Sequence, residues 1–135
     1  MANALYDKGR QAFLEGSIAW LSANIKLALM DNADYTVNLA THDFFDDVTS
    51  AGRVAISGNF ASKTSTDGVA DAADVTLSAV TGDSIESIVI YKDTGTESTS
   101  PLIAYIDTAT NLPVTPNGGD ITVQWDNGAN KIFKL

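Results

Sequence analysis

Apolar and polar positions change rhythm along this chain. Leu5, Gly9, Ala12, Phe13 and Gly16 recur at the spacing of one helical face, while Asp7, Lys8, Arg10, Gln11 and Glu15 mostly fall elsewhere. That period predicts a helix over about residues 3–15, with Asn3 as its cap and Gly16 as its stop. So narrow a stripe suits either the domain's own core or an arm that docks on a neighbouring subunit. Ile18 to Leu21 reads as a second short helical turn, after which Ile25, Leu27 and Leu29 alternate with Lys26, Ala28 and Met30. Helix and strand compete over this segment, and alternation favours a strand, ended by Asp31-Asn32. Residues 31–52 are rich in turn formers around the anchors Tyr35, Val37, Leu39, Phe44, Phe45 and Val48. They read as an irregular ordered loop with a short helical turn near residues 42–47.

Beyond Gly52 the pattern becomes short alternating runs separated by Gly, Asp, Asn, Ser and Thr, predicting strands at 53–57, 60–64, 73–79, 87–92, 102–107, 120–125 and 130–134. With 25–30 these make about eight strands, enough for a mainly β, antiparallel two-sheet β-sandwich with an N-terminal α-helix. Ile88-Val89-Ile90-Tyr91 is apolar on both faces and predicts a central strand. Leu102 to Ile106 is its expected partner, across a polar loop from Asp93 to Pro101 that should stand in solvent. The last two runs predict a closing hairpin. A two-residue loop at Asn127-Gly128 would scramble its apolar pairing, whereas Asp126-Asn127-Gly128, with Gly128 left-handed, sets Ile121 opposite Phe133 and Val123 opposite Lys131. Ile121, Val123, Trp125, Phe133 and Leu135 would then share one face, with Leu135 bound into the sheet.

At 135 residues and 44% apolar, the chain has the length and core of one domain. It is expected to span 1–135, with 1–16 as helix or arm and 17–135 as the sandwich containing loop 31–52. There is no cysteine, so neither a disulfide framework nor a thiolate metal site enters. Seventeen acidic against eight basic residues give a net charge of −9, which repels phosphate backbones and argues against nucleic-acid binding. The apolar stretch Ile18 to Met30 is interrupted by Ser22, Asn24 and Lys26, and Met1-Ala2-Asn3 lacks a basic leader. The expectation is therefore no signal peptide and no membrane span.

Candidate chemistry is sparse. His42 is the one histidine, and no serine lies in a Gly-x-Ser-x-Gly elbow, so His42 reads as a loop or packing residue. Asp43, Asp46 and Asp47, like Asp71 and Asp74, lack calcium-loop spacing and read as solvated turn formers. Gly118-Gly119 precedes a strand rather than opening a helix, which makes it a turn and not a phosphate cradle. Trp20, Tyr91, Tyr105 and Trp125 would make a carbohydrate platform only if exposed together, and alternation assigns Trp125 inward. No catalytic residue, metal or cofactor is expected, and the protein does not read as an enzyme.

Three segments carry a family resemblance: residues 4–16 (Ala4-Leu5-Tyr6-Asp7-Lys8-Gly9-Arg10-Gln11-Ala12-Phe13-Leu14-Glu15-Gly16), residues 37–44 (Val37-Asn38-Leu39-Ala40-Thr41-His42-Asp43-Phe44), and Asp120 to Gly128 with its continuation to Leu135. Taken whole, the sequence resembles small tailed-bacteriophage virion structural proteins of the capsid decoration, or cement, type. The resemblance implies a non-enzymatic protein made in the host bacterial cytoplasm and carried on the capsid surface. Its partners would be the major capsid protein and further copies of itself, as a homo-oligomer such as a trimer. A tail, fibre or head-fibre β-module binding a host receptor or glycan, through loops 93–100 and 111–119, is the alternative. Candidate partner-contact residues are Leu5, Tyr6, Arg10 and Phe13 on the helix and Phe44 and Phe45 in the acidic loop, with the protein's own core as the competing use of each.

Overall fold

A strand with apolar side chains on both faces must be covered twice, and that requirement arranges the molecule. The computed structural model describes residues 3–135; Met1 and Ala2, which begin the expected segment 1–16, lie outside the described residues. In sequence order the elements are β1 (Ala4–Leu5), α1 (Asp7–Leu14), β2 (Ile25–Met30), β3 (Arg53–Ile56), β4 (Thr64–Thr66), β5 (Val69–Asp71), β6 (Val75–Leu77), β7 (Ser87–Lys92), β8 (Leu102–Ile106), β9 (Ile121–Val123) and β10 (Phe133–Lys134). The fold is mainly β, with antiparallel sheets and one α-helix among the described residues. No helix among them is long and apolar enough to cross a membrane.

The largest sheet has the order β1-β8-β7-β2-β3, so the strand predicted as central is central and pairs with its predicted partner. The polar loop between them is exposed from Thr94 to Thr99. Alternation sends Ile25, Leu27 and Leu29 of β2 and Ile88 and Ile90 of β7 into one core cluster, and Ala28, Met30, Val89 and Tyr91 into a second on the opposite face. In β8 the pairing steps from Ile90–Ala104 to Tyr91–Leu102. Ile103 is the extra, bulged residue, so Ile103 and Ala104 both reach the first cluster while Leu102 and Tyr105 reach the second.

Two small sheets help to build the first cluster: β10-β5-β4, which contributes Ala70, and β6-β9, which contributes Val75 and Leu77. Among the described residues, three sheets of five, three and two strands thus replace the two sheets of about eight strands that alternation predicts. The second cluster is completed by loop 31–52, through Tyr35, Phe45 and Val48. The expected short helical turn in that loop is present as a 3-10 turn at Phe45–Asp47.

Several expectations are corrected. The helix is shorter than predicted, because Asn3 does not cap it: its Oδ1 accepts from Asp107 N–H (2.9 Å) and Thr108 N–H (3.0 Å) at the end of β8. Ala4–Leu5 is drawn onto the edge of β8 as a strand instead. The stop is as predicted, with Gly16 at φ +77 and the Ser17 and Gly16 amides donating to Ala12 O (2.8 Å) and Phe13 O (3.2 Å). Residues 60–64 form no strand apart from the first residue of β4, Thr64, because Phe60 turns inward against Trp20. The strands that do form nearby, β4 and β5, make a two-residue hairpin around Asp67 (φ +53) and Gly68 (φ +81).

The closing hairpin is absent. β9 pairs with β6, placing Ile121 opposite Leu77 and Val123 opposite Val75, and β10 pairs with β5. Gly128 is not left-handed; Lys131 adopts that conformation instead, at φ +44. Long-range burial outweighs the local turn signal: Phe133 packs its ring on Trp20 (5.3 Å) and Phe13 (5.8 Å), and Trp125 is held by Asp74 and by Ala73 O. Ile121, Val123, Trp125 and Phe133 do share the core side, as the alternation required. Leu135 donates its N–H to Gly68 O (3.0 Å), but the residue is 58% exposed.

Helix α1 lies against β8 because Gly9 allows it. A Cβ on Gly9 would stand 2.5 Å from Leu102 O and 3.1 Å from Ile103 Cα, both backbone atoms that cannot yield alone. Gly9→Ala is therefore expected to cost about 1–3 kcal/mol. Gly58, whose Cβ would meet open space, should tolerate alanine within about 0.5 kcal/mol. Urea denaturation of both variants checks the contrast, and equal losses would show that the helix does not depend on this approach.

Candidate functional site

Helix α1 and loop 31–52 come together along the outer edge of β8, the edge on which β1 pairs. Tyr6 N–H donates to Ile103 O (3.0 Å) and Asp7 N–H to Leu39 O (2.9 Å), so helix and loop share one seam. On the other side of that edge Phe45 N–H donates to Ser100 O and Leu102 N–H to Asp43 O, both at 2.9 Å. Residues 43–45 thus extend the sheet where the helix leaves it.

Under this seam runs a hydroxyl relay. The Tyr6 and Tyr35 hydroxyls are 2.8 Å apart, and the Tyr35 hydroxyl is 3.0 Å from His42 Nδ1. Asn38 N–H donates to the same nitrogen at 3.3 Å. A backbone N–H can only donate, so Nδ1 is the acceptor nitrogen in this arrangement. Burial pushes the Tyr35 phenol up to about 12 and the Tyr6 phenol higher still. Both stay neutral donors, and the relay ties the helix start to the loop rather than presenting a nucleophile.

The acidic residues of the loop are arranged locally. Asp43 N–H donates to Asp47 Oδ2 (2.9 Å) and Phe44 N–H to Asp43 Oδ1 (2.8 Å). Burial, then the neighbouring Asp47 carboxyl, raises Asp43 above the ordinary carboxylate range. Burial also works to raise Asp47, but the Asp43 amide and carboxyl, His42 and the Phe44 amide together hold it below that range. Carboxylate oxygens of Asp43, Asp46 and Asp47 lie within 4.8 Å of one another. A second such group, Asp31, Asp34 and Asp83, joins two distant segments that sequence spacing does not connect. Asp71 and Asp74 separate: one pairs with Lys131 (3.5 Å) and the other accepts Trp125 N–H (3.1 Å).

A stacked clamp holds the loop to the sheet. The Phe45 ring lies flat on Tyr91, with centroids 3.9 Å apart, and the Arg53 guanidinium sits 4.0 Å above the Phe45 centroid. Arg53 also donates to Phe45 O (2.9 Å) and Val48 O (2.7 Å) and pairs with Glu97 at 2.5 Å. It therefore joins the loop, the β3 edge and the 3-10 turn at Glu97–Thr99.

The nominated contact residues divide. Leu5, Tyr6 and Phe45 are buried in the protein's own core. Phe13 is half-buried against Phe133. Arg10 is exposed, 3.1 Å from Asp7, and Phe44 is half-buried in a depression of about 250 Å³ between the helix (Lys8, Gln11, Glu15) and Pro101. Sequence reasoning passed over Leu14, which is 89% exposed. Its signal was legible: it is an apolar residue off the helix's buried stripe. Trp20, Tyr91 and Tyr105 are all buried, so no aromatic platform forms with Trp125. A larger depression, about 460 Å³, lies over the outer face of β4 and β5 and is lined by Thr64, Thr66, Lys131 and Lys134.

Tyr35→Phe leaves the buried Tyr6 hydroxyl without its partner and should cost about 1–3 kcal/mol. The Tyr6→Phe/Tyr35→Phe double variant should cost less than the sum of the two singles, read by urea denaturation; strict additivity would sink the relay. Glu97 supplies a pH signature. Its hydrogen bond to Arg53 holds its carboxyl below the ordinary range, so its contribution is complete above the ordinary glutamate pKa and lost as pH falls through the depressed value. The stability difference between wild type and Glu97→Gln should therefore shrink on acidification, and a difference independent of pH would contradict this pairing.

No protein-family model matches this sequence, and no curated protein matches it.

Proposed function

We propose that this protein is a non-enzymatic structural component of a tailed-bacteriophage virion, a capsid decoration protein that binds the major capsid protein lattice and stabilises the head. The observation that carries this reading beyond the sequence resemblance is where the apolar side chains go. Most of the aromatic residues fill the core, while Leu14, on a helix seated firmly on β8, is left 89% exposed beside Arg10. A rigidly mounted apolar side chain with a charged neighbour is a contact element that needs no deep pocket. Repeated over a lattice and between copies of a homo-oligomer, modest patches of this kind gain avidity by multivalency. In architecture the reading takes the three- and two-stranded sheets together as the second layer of a β-sandwich, a compact body from which α1 and the Phe44 rim face the shell.

The test is a binding assay on shells stripped of this protein. Leu14→Asp and Arg10→Glu together should lower occupancy at least about tenfold, the loss of a small hot spot, while the thermal midpoint stays near that of wild type. Undiminished decoration by the double variant would remove α1 from the contact. Electron microscopy placing the protein on tail or fibre would overturn the head assignment itself.

A further inference from the structure

Two Asn-Gly steps occur in the sequence, Asn117-Gly118 and Asn127-Gly128, and the fold treats them in opposite ways. The backbone nitrogen that follows an asparagine can attack the side-chain amide carbon, and a following glycine offers no side chain to shield it. The reaction requires that the nitrogen shed its proton and that the asparagine amide swing onto it. A hydrogen bond held by either group opposes the step.

At Asn117 both groups are held. Gly118 N–H donates to Val80 O (2.8 Å), and Asn117 Oδ1 accepts Gly119 N–H (2.9 Å). Val80 N–H returns a bond to Gly119 O (3.0 Å), so the turn is laced to Val80 on both sides. At Asn127 the opposite holds. Asn127 and Gly128 are exposed, and among the described residues neither the Asn127 amide nor the Gly128 N–H has a hydrogen-bond partner. The connection is anchored towards its ends, by Trp125 on Asp74 and Ala73, by the Lys131–Asp71 pair (3.5 Å) and by Ile132 N–H on Ala70 O (3.1 Å). Residues 126–131 between them are all exposed.

We propose that Asn127 is a modification site, converting spontaneously to a mixture of aspartate and isoaspartate, while the fold protects Asn117. The deprotonated Gly128 nitrogen attacks Asn127 Cγ; a new bond joins that nitrogen to Cγ, the bond from Cγ to Nδ2 breaks, and ammonia leaves with a proton from solvent. Water then opens the resulting succinimide at either carbonyl. One opening gives aspartate and the other isoaspartate, which carries an extra methylene in the backbone, and no oxidant or reductant takes part. Because this connection joins strands of two different sheets and is not a hairpin turn, its length is not fixed by a strand register. The altered protein therefore stays folded. It gains a negative charge close in sequence to Lys131, which pairs with Asp71 at the rim of the larger depression.

The folded full-length protein, aged in mildly alkaline buffer, is digested and mapped by mass spectrometry, with isoaspartyl methyltransferase labelling to score isoaspartate. Product at Asn127 should exceed product at Asn117 by about tenfold or more, since reaction at Asn117 must first break two hydrogen bonds. In denaturing urea the two rates should converge, and Asn127→Gln should remove the major product from the folded protein. Equal rates in the folded state, faster reaction at Asn117, or a preference for Asn127 that persists undiminished in urea would each overturn the proposal.

Discussion

The constraint on which the rest of the structure depends is that β7 is apolar on both faces. Ile88 and Ile90 point one way, Val89 and Tyr91 the other, and all are buried. A sheet built around such a strand needs two covering layers, which parallel α/β folds provide with helices. This protein has one eight-residue helix among its described residues. Short strands cover one face and an irregular loop covers the other.

Covering a sheet with a loop is costly, because a loop brings backbone polar groups into a dry environment. The structure meets that cost at named points. Arg53 reaches back to the carbonyls of Phe45 and Val48, Asp31 caps its own turn through Ala33 N–H, and Asn32 bridges the Tyr105 hydroxyl and Ser87. No buried side-chain polar atom among the described residues lacks a partner. The same residues that make loop 31–52 look irregular in sequence, Asp31, Asn32, Asn38 and Asp43, are the ones whose side chains bond to backbone amides or to buried hydroxyls. Their role is to let a loop act as a layer.

Legibility in the sequence followed the strength of the burial signal. β2 and β7 were readable to the residue, and β8 to within one: the apolar runs of β7 and β8 leave no competing assignment, and in β2 the alternation of Ile25, Leu27 and Leu29 outweighs the helical reading that competes with it. The facing of Ile121, Val123, Trp125 and Phe133 was also readable, since alternation fixes which side chains go inward. Pairing partners were not. Alternation is indifferent to which strand lies alongside, so β9 and β10 were assigned to each other although Val75 and Leu77 claim one and Ala70 the other. Asp67-Gly68 is a pair suited to a two-residue hairpin loop, but its flanking runs, Thr64-Ser65-Thr66 and Val69-Ala70-Asp71, are too polar to announce strands. Of the nominated surface residues, Tyr6 and Phe45 are buried while Phe13 and Phe44, equally aromatic, are half-buried, so aromatic size alone did not tell which of the four the core would take.

Edges are the remaining problem for a protein made of short strands, because an unpaired edge is a template for another strand. Here the β8 edge is closed by β1, α1 and residues 43–45. At the opposite edge, β3 carries a bulge at Val54, where pairing steps from Ala55 to Arg53, and Arg53 is drawn inward by Phe45. β4 is three residues long, with Lys63 before it and Asp67 after it. Guarded edges and a net charge of −9 oppose indiscriminate sheet extension. Association on the proposed reading must then come from side-chain patches, and α1 is suited to supply one because its seat on β8 leaves Leu14 facing outward on backbone that is already fixed.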